Sequence, residues 1–188
     1  MNARRFQVKR ESFSALFIWS KIHVLAADLP VLASDSITND LALACLAEQC
    51  RDVELWPRDP SARAITRSVS AEMHSGFQAL RENCPMELLA HSPQSTLPPA
   101  VELDIHRIIT IWRDCRTRFG SGGSFLFGQF SAAGAMYAPV ASRLRTYVDD
   151  LTRYGDDGSA RAYVEAIFAM PEIAEWTEGA RAEMAGAD

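Results

Sequence analysis

The sequence predicts a mainly α fold: an all-α bundle of five helices over residues 59–188, preceded by a truncated α/β region over residues 1–55. Three observations support this class. Apolar residues recur at three- and four-residue steps through most of the second region. The segment ELWPRDPSARA supplies an N-cap at Asp59 followed by a proline suited to the first helical turn. Before that segment, short apolar runs alternate with turn residues.

The charge and length of the chain narrow the function classes. A net charge of -5 over 188 residues gives no basic surplus for neutralising a phosphate backbone, so we expect no nucleic-acid partner. No apolar run approaches the roughly 18 residues that span a bilayer, so we expect no membrane protein. The basic residues before the short run 15–19 read as a solvated tail.

The cysteines and histidines show no metal-binding spacing. The four cysteines include no Cys-x-x-Cys pair, and the four histidines include no pair four residues apart. Cys45 and Cys84 lie among apolar neighbours, which is typical of buried free thiols in a reducing compartment. We therefore predict a cytoplasmic protein with no metal site.

In the α/β region, the segment LPVLASDSITNDLALACLAEQ predicts a strand over residues 29–32, a turn, a second short strand and a helix. That helix opens at Asn39 or Asp40, either of which is a good N-cap. A hairpin that leads into a helix and then into a bundle is a restrictive order of elements.

The first bundle helix is predicted to run from Pro60 to the Cys84-Pro85 step. Its apolar stripe places Met73 and Phe77 toward the core, with Gly76 allowing a neighbouring helix to approach. The other members of the stripe are Ile65, Val69 and Leu80. Buried packing is the simplest interpretation of this stripe, and a catalytic role is the alternative.

Four further helices follow. The second has the clearest amphipathic spacing and stops at the glycines after Phe119; its apolar face is Val101, Ile105, Ile108, Trp112, Cys115 and Phe119. The third begins at Ser131 and contains Pro139, which removes one backbone hydrogen bond and predicts a kink. Two shorter helices, around residues 160–167 and 171–180, complete the bundle.

Several segments of the helical region resemble the cytosolic glutathione transferases, in particular a bacterial branch of that family. They are ELWPRDPSARA, RSVSAEMHSGFQALRENCPM, IWRDCRTRFG, FLFGQFSAAGAMYAPVASRLRTY and MPEIAEW. The resemblance covers residues 29–183. It implies a thioredoxin-like domain, here shortened to residues 1–55, and a helical C-terminal domain over residues 59–188. Only 29 residues precede Pro30, which leaves little room for the family's first βαβ unit.

The resemblance also implies where glutathione would bind. Leu29-Pro30 is similar to the cis-proline element whose backbone pairs with the cysteinyl part of glutathione. The helix opening at Thr38, Asn39 and Asp40 corresponds to the anchor for the γ-glutamyl carboxylate, with Asn39-Asp40 as the preferred alignment and Thr38-Asn39 as the other. A negative Asp40 would be unfavourable beside that carboxylate.

For catalysis, the resemblance implies a hydroxyl that stabilises the glutathione thiolate. The segment SFSALFIW offers Ser12 or Ser14 for that role.

The implied activity is conjugation of the glutathione thiolate to small apolar electrophiles, with glutathione as cosubstrate. The predicted electrophile pocket consists of Met73, Phe77, Trp112 and Tyr137. A homodimer is the implied assembly. The alternative is a non-catalytic binding or interaction module, because the shortened first domain departs from the family pattern.

A second departure lies at the start of the third bundle helix. The family pattern there is Ser/Thr-x-x-Asp, and this chain has Ser131-Ala-Ala-Gly134. Ser131 is still expected to cap the helix. Restoring the reciprocal carboxylate with Gly134→Asp is predicted to raise the melting temperature.

Overall fold

The computed structural model describes residues 54–185 and the single residue 47, with side chains described as far as residue 182. Over this range the protein is helical, and its only extended pairing is two isolated bridges in the 125–129 turn. The predicted mainly α class is confirmed, whereas the division at residues 55 and 59 remains a prediction. Six α-helices are present in the described part: α1 Pro60–Ser75, α2 Gln78–Asn83, α3 Pro99–Phe119, α4 Ala132–Tyr147, α5 Ser159–Phe168 and α6 Pro171–Ala185, with a 3₁₀ turn at Leu151–Tyr154.

Helix α1 begins as the sequence predicts. The Asp59 carboxylate accepts a hydrogen bond from the backbone N–H of Ala62 at 2.7 Å, and Pro60 occupies the first helical position. The cap satisfies a backbone donor that would otherwise lack an intrahelical partner.

The predicted first helix is broken into α1 and α2. Gly76 ends α1 by donating its N–H to Glu72 O at 2.8 Å, and Phe77 takes the left-handed conformation with φ of 56°. The Arg81 guanidinium donates to the carbonyls of Met73, His74 and Gly76 and so joins α2 to the end of α1 at this break. Gly76 therefore serves as a helix end rather than as a site of close helix approach.

Helix α4 is the centre of the bundle. It packs against α1 on one side and α5 on another, and nearly all of its residues are buried. Small side chains, Ala132, Ala133, Ala135 and Ala141, leave little bulk between α4 and its neighbours. A helix that is apolar on all faces is typical of a fully enclosed position. Helix α3 packs against α1, α2 and α5, which closes the core.

The start of α4 corrects two expectations. The Ser131 side chain makes no capping hydrogen bond; instead the Ala132 N–H donates to Leu55 O at 2.9 Å. An ideal Cβ at Gly134 would lie 2.8 Å from Cε2 of Phe130. The glycine therefore makes room for a phenyl ring that the Gly134→Asp side chain would displace, and this steric conflict opposes the expected gain from a restored cap.

Candidate functional site

The predicted electrophile-pocket residues lie in or against the core. Trp112 and Tyr137 are 0% exposed, Phe77 is 7% exposed, and Met73 is half-buried on α1. The Trp112 ring meets the rings of Tyr137 and Tyr163 edge-on, with centroids 5.7 and 4.6 Å apart. Packing thus accounts for the two aromatic residues, and their role in a substrate pocket remains a prediction.

The hydroxyl groups in this aromatic cluster differ in their hydrogen bonding. Tyr137 donates its buried O–H to Val69 O of α1 at 3.1 Å. Among the described residues, neither the buried O–H of Tyr163 nor the indole N–H of Trp112 has a hydrogen-bond partner. A buried polar atom without a partner lowers stability, so the two tyrosine hydroxyls should contribute differently to the stability of the cluster.

The thiols and phenols of the described core are poor nucleophiles. Burial raises the pKa of the Cys84 thiol, and burial with a smaller contribution from Asp114 raises the pKa of Cys115 to about 12. Burial likewise raises the pKa of the Tyr137 and Tyr163 phenols. Each group is held in its neutral form, so none of the four supplies a thiolate or phenolate near neutral pH.

The predicted catalytic and glutathione-binding residues lie outside the described residues. They are Ser12, Ser14, Leu29, Pro30, Thr38, Asn39 and Asp40. Their roles therefore remain predictions.

An open cleft of about 620 Å³ lies between the last turn of α4, helix α5 and the segment 88–91. Its floor is apolar and consists of Leu144, Leu151 and Val164. We refer to it as the α4–α5 cleft. Its volume is in the range of small-molecule sites in proteins, and none of the predicted pocket residues lines it.

Hydrogen bonds hold the segment 85–94 against the end of α4 and so form one wall of the cleft. The Ser92 N–H donates to Thr146 O at 2.8 Å, and the Gln94 N–H donates to Tyr147 O at 3.0 Å. In the other direction, the hydroxyls of Thr146 and Tyr147 donate to carbonyls of that segment. The last carbonyls of a helix have no intrahelical partner, so the segment satisfies them while fixing the wall.

The turn before α5 fixes the opposite wall. Asp156 is buried, and its two carboxylate oxygens accept from the N–H groups of Ala160 at 2.8 Å and Arg161 at 3.1 Å. A carboxylate at this position satisfies two of the free N–H groups of the helix and complements its dipole. Gly158 precedes α5 with φ of 98°, a conformation that favours glycine.

The rim of the cleft is charged. His91 Nε2 lies 3.4 Å from Asp149 Oδ1, and Arg161 Nε lies 3.5 Å from Glu165 Oε1. The Arg145 guanidinium lies over the Phe168 ring, 4.1 Å from its centroid. Sequence reasoning did not find this rim, because Arg145 near a helix end is typical of a solvated cation that complements the helix dipole.

Two other site types find no support in the part of the chain that the structure describes. No group of three or more His, Cys, Asp or Glu side chains there is arranged to hold a metal ion. Within the same residues, no helix combines the length and hydrophobicity needed to span a bilayer.

Comparison with known proteins shows the fold. No protein-family model matches the sequence, and no curated protein matches it. Among solved structures, the chain is similar to a glutathione transferase homolog from Burkholderia gl BGR1, crystallised with bound glutathione, at a TM-score of 0.52 and 19% sequence identity. The match covers 76% of this chain and 66% of that chain. The chain therefore has a glutathione transferase-like fold.

Proposed function

We propose that the protein binds glutathione and conjugates its thiolate to small apolar electrophiles. The observation that carries the proposal is the fold shared with a glutathione transferase homolog whose crystal structure contains glutathione. The sequence resemblance over residues 29–183 supports the same family and its bacterial branch, with a shortened thioredoxin-like domain.

In the proposed site, the backbone at Leu29-Pro30 pairs with the cysteinyl part of glutathione, and the helix opening at Thr38, Asn39 and Asp40 binds the γ-glutamyl carboxylate.

The hydroxyl of Ser12 or Ser14 donates a hydrogen bond to the glutathione sulfur and favours the thiolate. The thiol proton leaves to solvent. The sulfur then forms a bond to an electrophilic carbon, and the leaving group departs with its bonding electron pair.

The described helices favour glutathione as the source of the nucleophile. Burial holds Cys84 and Cys115 as neutral thiols, so neither competes with a bound cosubstrate thiol. We place Met73, Phe77, Trp112 and Tyr137 at or behind the apolar electrophile, with half-buried Met73 the most accessible of them.

Retention on immobilised glutathione, followed by conjugation of chlorodinitrobenzene, tests the proposal. We expect both retention and turnover, and a loss of turnover in Ser12→Ala or Ser14→Ala with retention preserved. Ser75→Ala is the matched control, because this exposed serine only donates to Ala71 O of its own helix. Retention and turnover both absent would refute the proposal.

The second candidate function is a non-catalytic binding module. The α4–α5 cleft favours it, because the cleft is a ligand-sized site built without any predicted glutathione residue. Retention without turnover, or binding in the cleft without retention, would support this candidate. We further propose a cytoplasmic homodimer for either function; a solution mass of one chain by light scattering would refute the dimer.

A further inference from the structure

The α4–α5 cleft carries one cation whose hydrogen-bonding capacity is unused. Among the described residues, the Arg145 guanidinium has no carboxylate within ion-pair distance and makes no hydrogen bond; it lies over the Phe168 ring. The other rim arginine, Arg161, is paired with Glu165, and Asp149 lies beside His91.

The stacking geometry leaves the donors of Arg145 available. A guanidinium that lies over an aromatic ring uses its face, whereas its five N–H groups point outward in its plane. Those N–H groups match the two oxygens of a carboxylate, which they bind with two parallel hydrogen bonds. Stacking on Phe168 also limits the motion of the side chain, so less conformational entropy is lost on binding.

The rest of the cleft is suited to an apolar body. The floor of Leu144, Leu151 and Val164 offers no charge, and Leu88 and Val148 extend the apolar surface up the walls. Burying such surface against an apolar ligand removes it from water, which is favourable.

Nearby carboxylates limit the charge of the ligand. Asp149 and Glu165 both line the cleft, so a second negative charge would be repelled once Arg145 is occupied. A positively charged ligand gains less, because both carboxylates already have cationic or imidazole neighbours.

We propose that the α4–α5 cleft binds apolar monocarboxylates, with Arg145 holding the carboxylate and the apolar floor holding the aromatic or alkyl body. This site is separate from the proposed glutathione chemistry and does not depend on it.

Calorimetric titration tests this assignment. The full chain, without glutathione, is titrated with three probes that share a phenylbutyl body and differ only in the terminal group. The probes are phenylbutyrate, phenylbutanol and phenylbutylamine. We expect phenylbutyrate to bind at least about tenfold more tightly than either of the others, which corresponds to about 1.4 kcal/mol. Absence of phenylbutyrate binding up to millimolar concentration, or equal binding of the alcohol or the amine, would overturn the proposal.

A matched pair of variants locates the site. Arg145→Gln should weaken phenylbutyrate binding about tenfold and leave phenylbutanol binding unchanged. Arg118→Gln is the control, because Arg118 also lies over a phenylalanine ring, Phe119 at 4.7 Å, but does not line the cleft. Equal losses in the two variants would overturn the assignment. If Arg145→Gln does not fold, Val148→Trp, which fills the cleft from a half-buried position, must abolish binding for the proposal to stand.

Discussion

The middle and the last turn of helix α4 have opposite surroundings. Its middle, around Tyr137, is enclosed by α1, α3 and α5. The Tyr137 hydroxyl donates a hydrogen bond to Val69 O of α1. Its last turn presents exposed Arg145 and, just beyond the helix, half-buried Val148 to an open cleft. One helix thus supplies packing at its middle and part of an open cleft at its end. Burial by itself therefore does not indicate which of its residues contact a ligand.

The largest expected difference between the two regions concerns aromatic truncation. Trp112→Ala removes a fully buried indole and should lower the free energy of unfolding by about 3–5 kcal/mol. Phe168→Ala changes a half-buried residue in the cleft wall. It should lower the free energy of unfolding much less than Trp112→Ala does, but it should weaken phenylbutyrate binding. Urea denaturation measures both. A cost at Phe168 equal to that at Trp112 would remove the distinction between packing and ligand surface.

Glycine replacement at the enclosed end of α4 is the next largest effect. Gly134→Ala places a Cβ against the Phe130 ring and should destabilise the protein by about 1–3 kcal/mol, with Gly134→Asp worse because it also buries a carboxylate. Gly179→Ala in α6 meets no atom within 4 Å and should stabilise it by about 0.5–1 kcal/mol. Thermal melts should shift in opposite directions; a stabilised Gly134→Ala variant would contradict the packing at this helix end.

Hydroxyl removal separates two tyrosines of the same aromatic cluster. Tyr137→Phe loses the hydrogen bond to Val69 O and should lower the free energy of unfolding by about 1 kcal/mol. Tyr163→Phe removes a buried hydroxyl that has no partner among the described residues and should be neutral or stabilising. Denaturant midpoints of the two variants check this. Equal destabilisation by both would mean that Tyr163 has a partner after all.

The smallest effect concerns pH and the turns beside the cleft. Hydrogen bonds from Thr152 lower the pKa of Asp150, and hydrogen bonds from Ser159 lower the pKa of Asp157. A carboxyl group whose pKa is lower in the folded state stabilises above its unfolded pKa, and that stability is lost as the pH falls through the folded value. Replacing both with asparagine should flatten the loss of stability below about pH 4. If the double variant loses stability at low pH as steeply as the unsubstituted protein, these turn hydrogen bonds do not lower the pKa of the two carboxyl groups.

Local rules predicted much of the fold. Asp59 and Pro60 mark a helix start because capping depends on neighbouring residues only, and the stripe from Val101 to Cys115 gives the buried face of α3. The break at Phe77 escaped prediction because a non-glycine left-handed residue carries no sequence signal. The role of Gly134 escaped because it depends on where the Phe130 ring packs.

The cleft could not be predicted for a related reason. Its lining residues come from three separate stretches of chain, 88–91, 144–151 and 161–169. The hydrogen bonds between residues 85–94 and α4 are made largely by backbone groups, which every sequence offers. The aromatic cluster was predicted as a pocket or as core, and packing accounts for its two central rings. The sequence around Arg145 carries no pattern that marks it as a ligand-binding residue. Only the tertiary structure places its guanidinium over Phe168, and no carboxylate of the described residues pairs with it.

We propose that the protein lowers the pKa of the thiol of bound glutathione; among the described residues, Cys84 and Cys115 are held as neutral thiols. The most direct measurement is the ultraviolet absorbance of thiolate in the complex of the protein with glutathione, titrated against pH. We predict that the bound thiol ionises at a clearly lower pH than free glutathione, and that Ser12→Ala or Ser14→Ala removes the shift. Identical titration curves for bound and free glutathione would contradict the account.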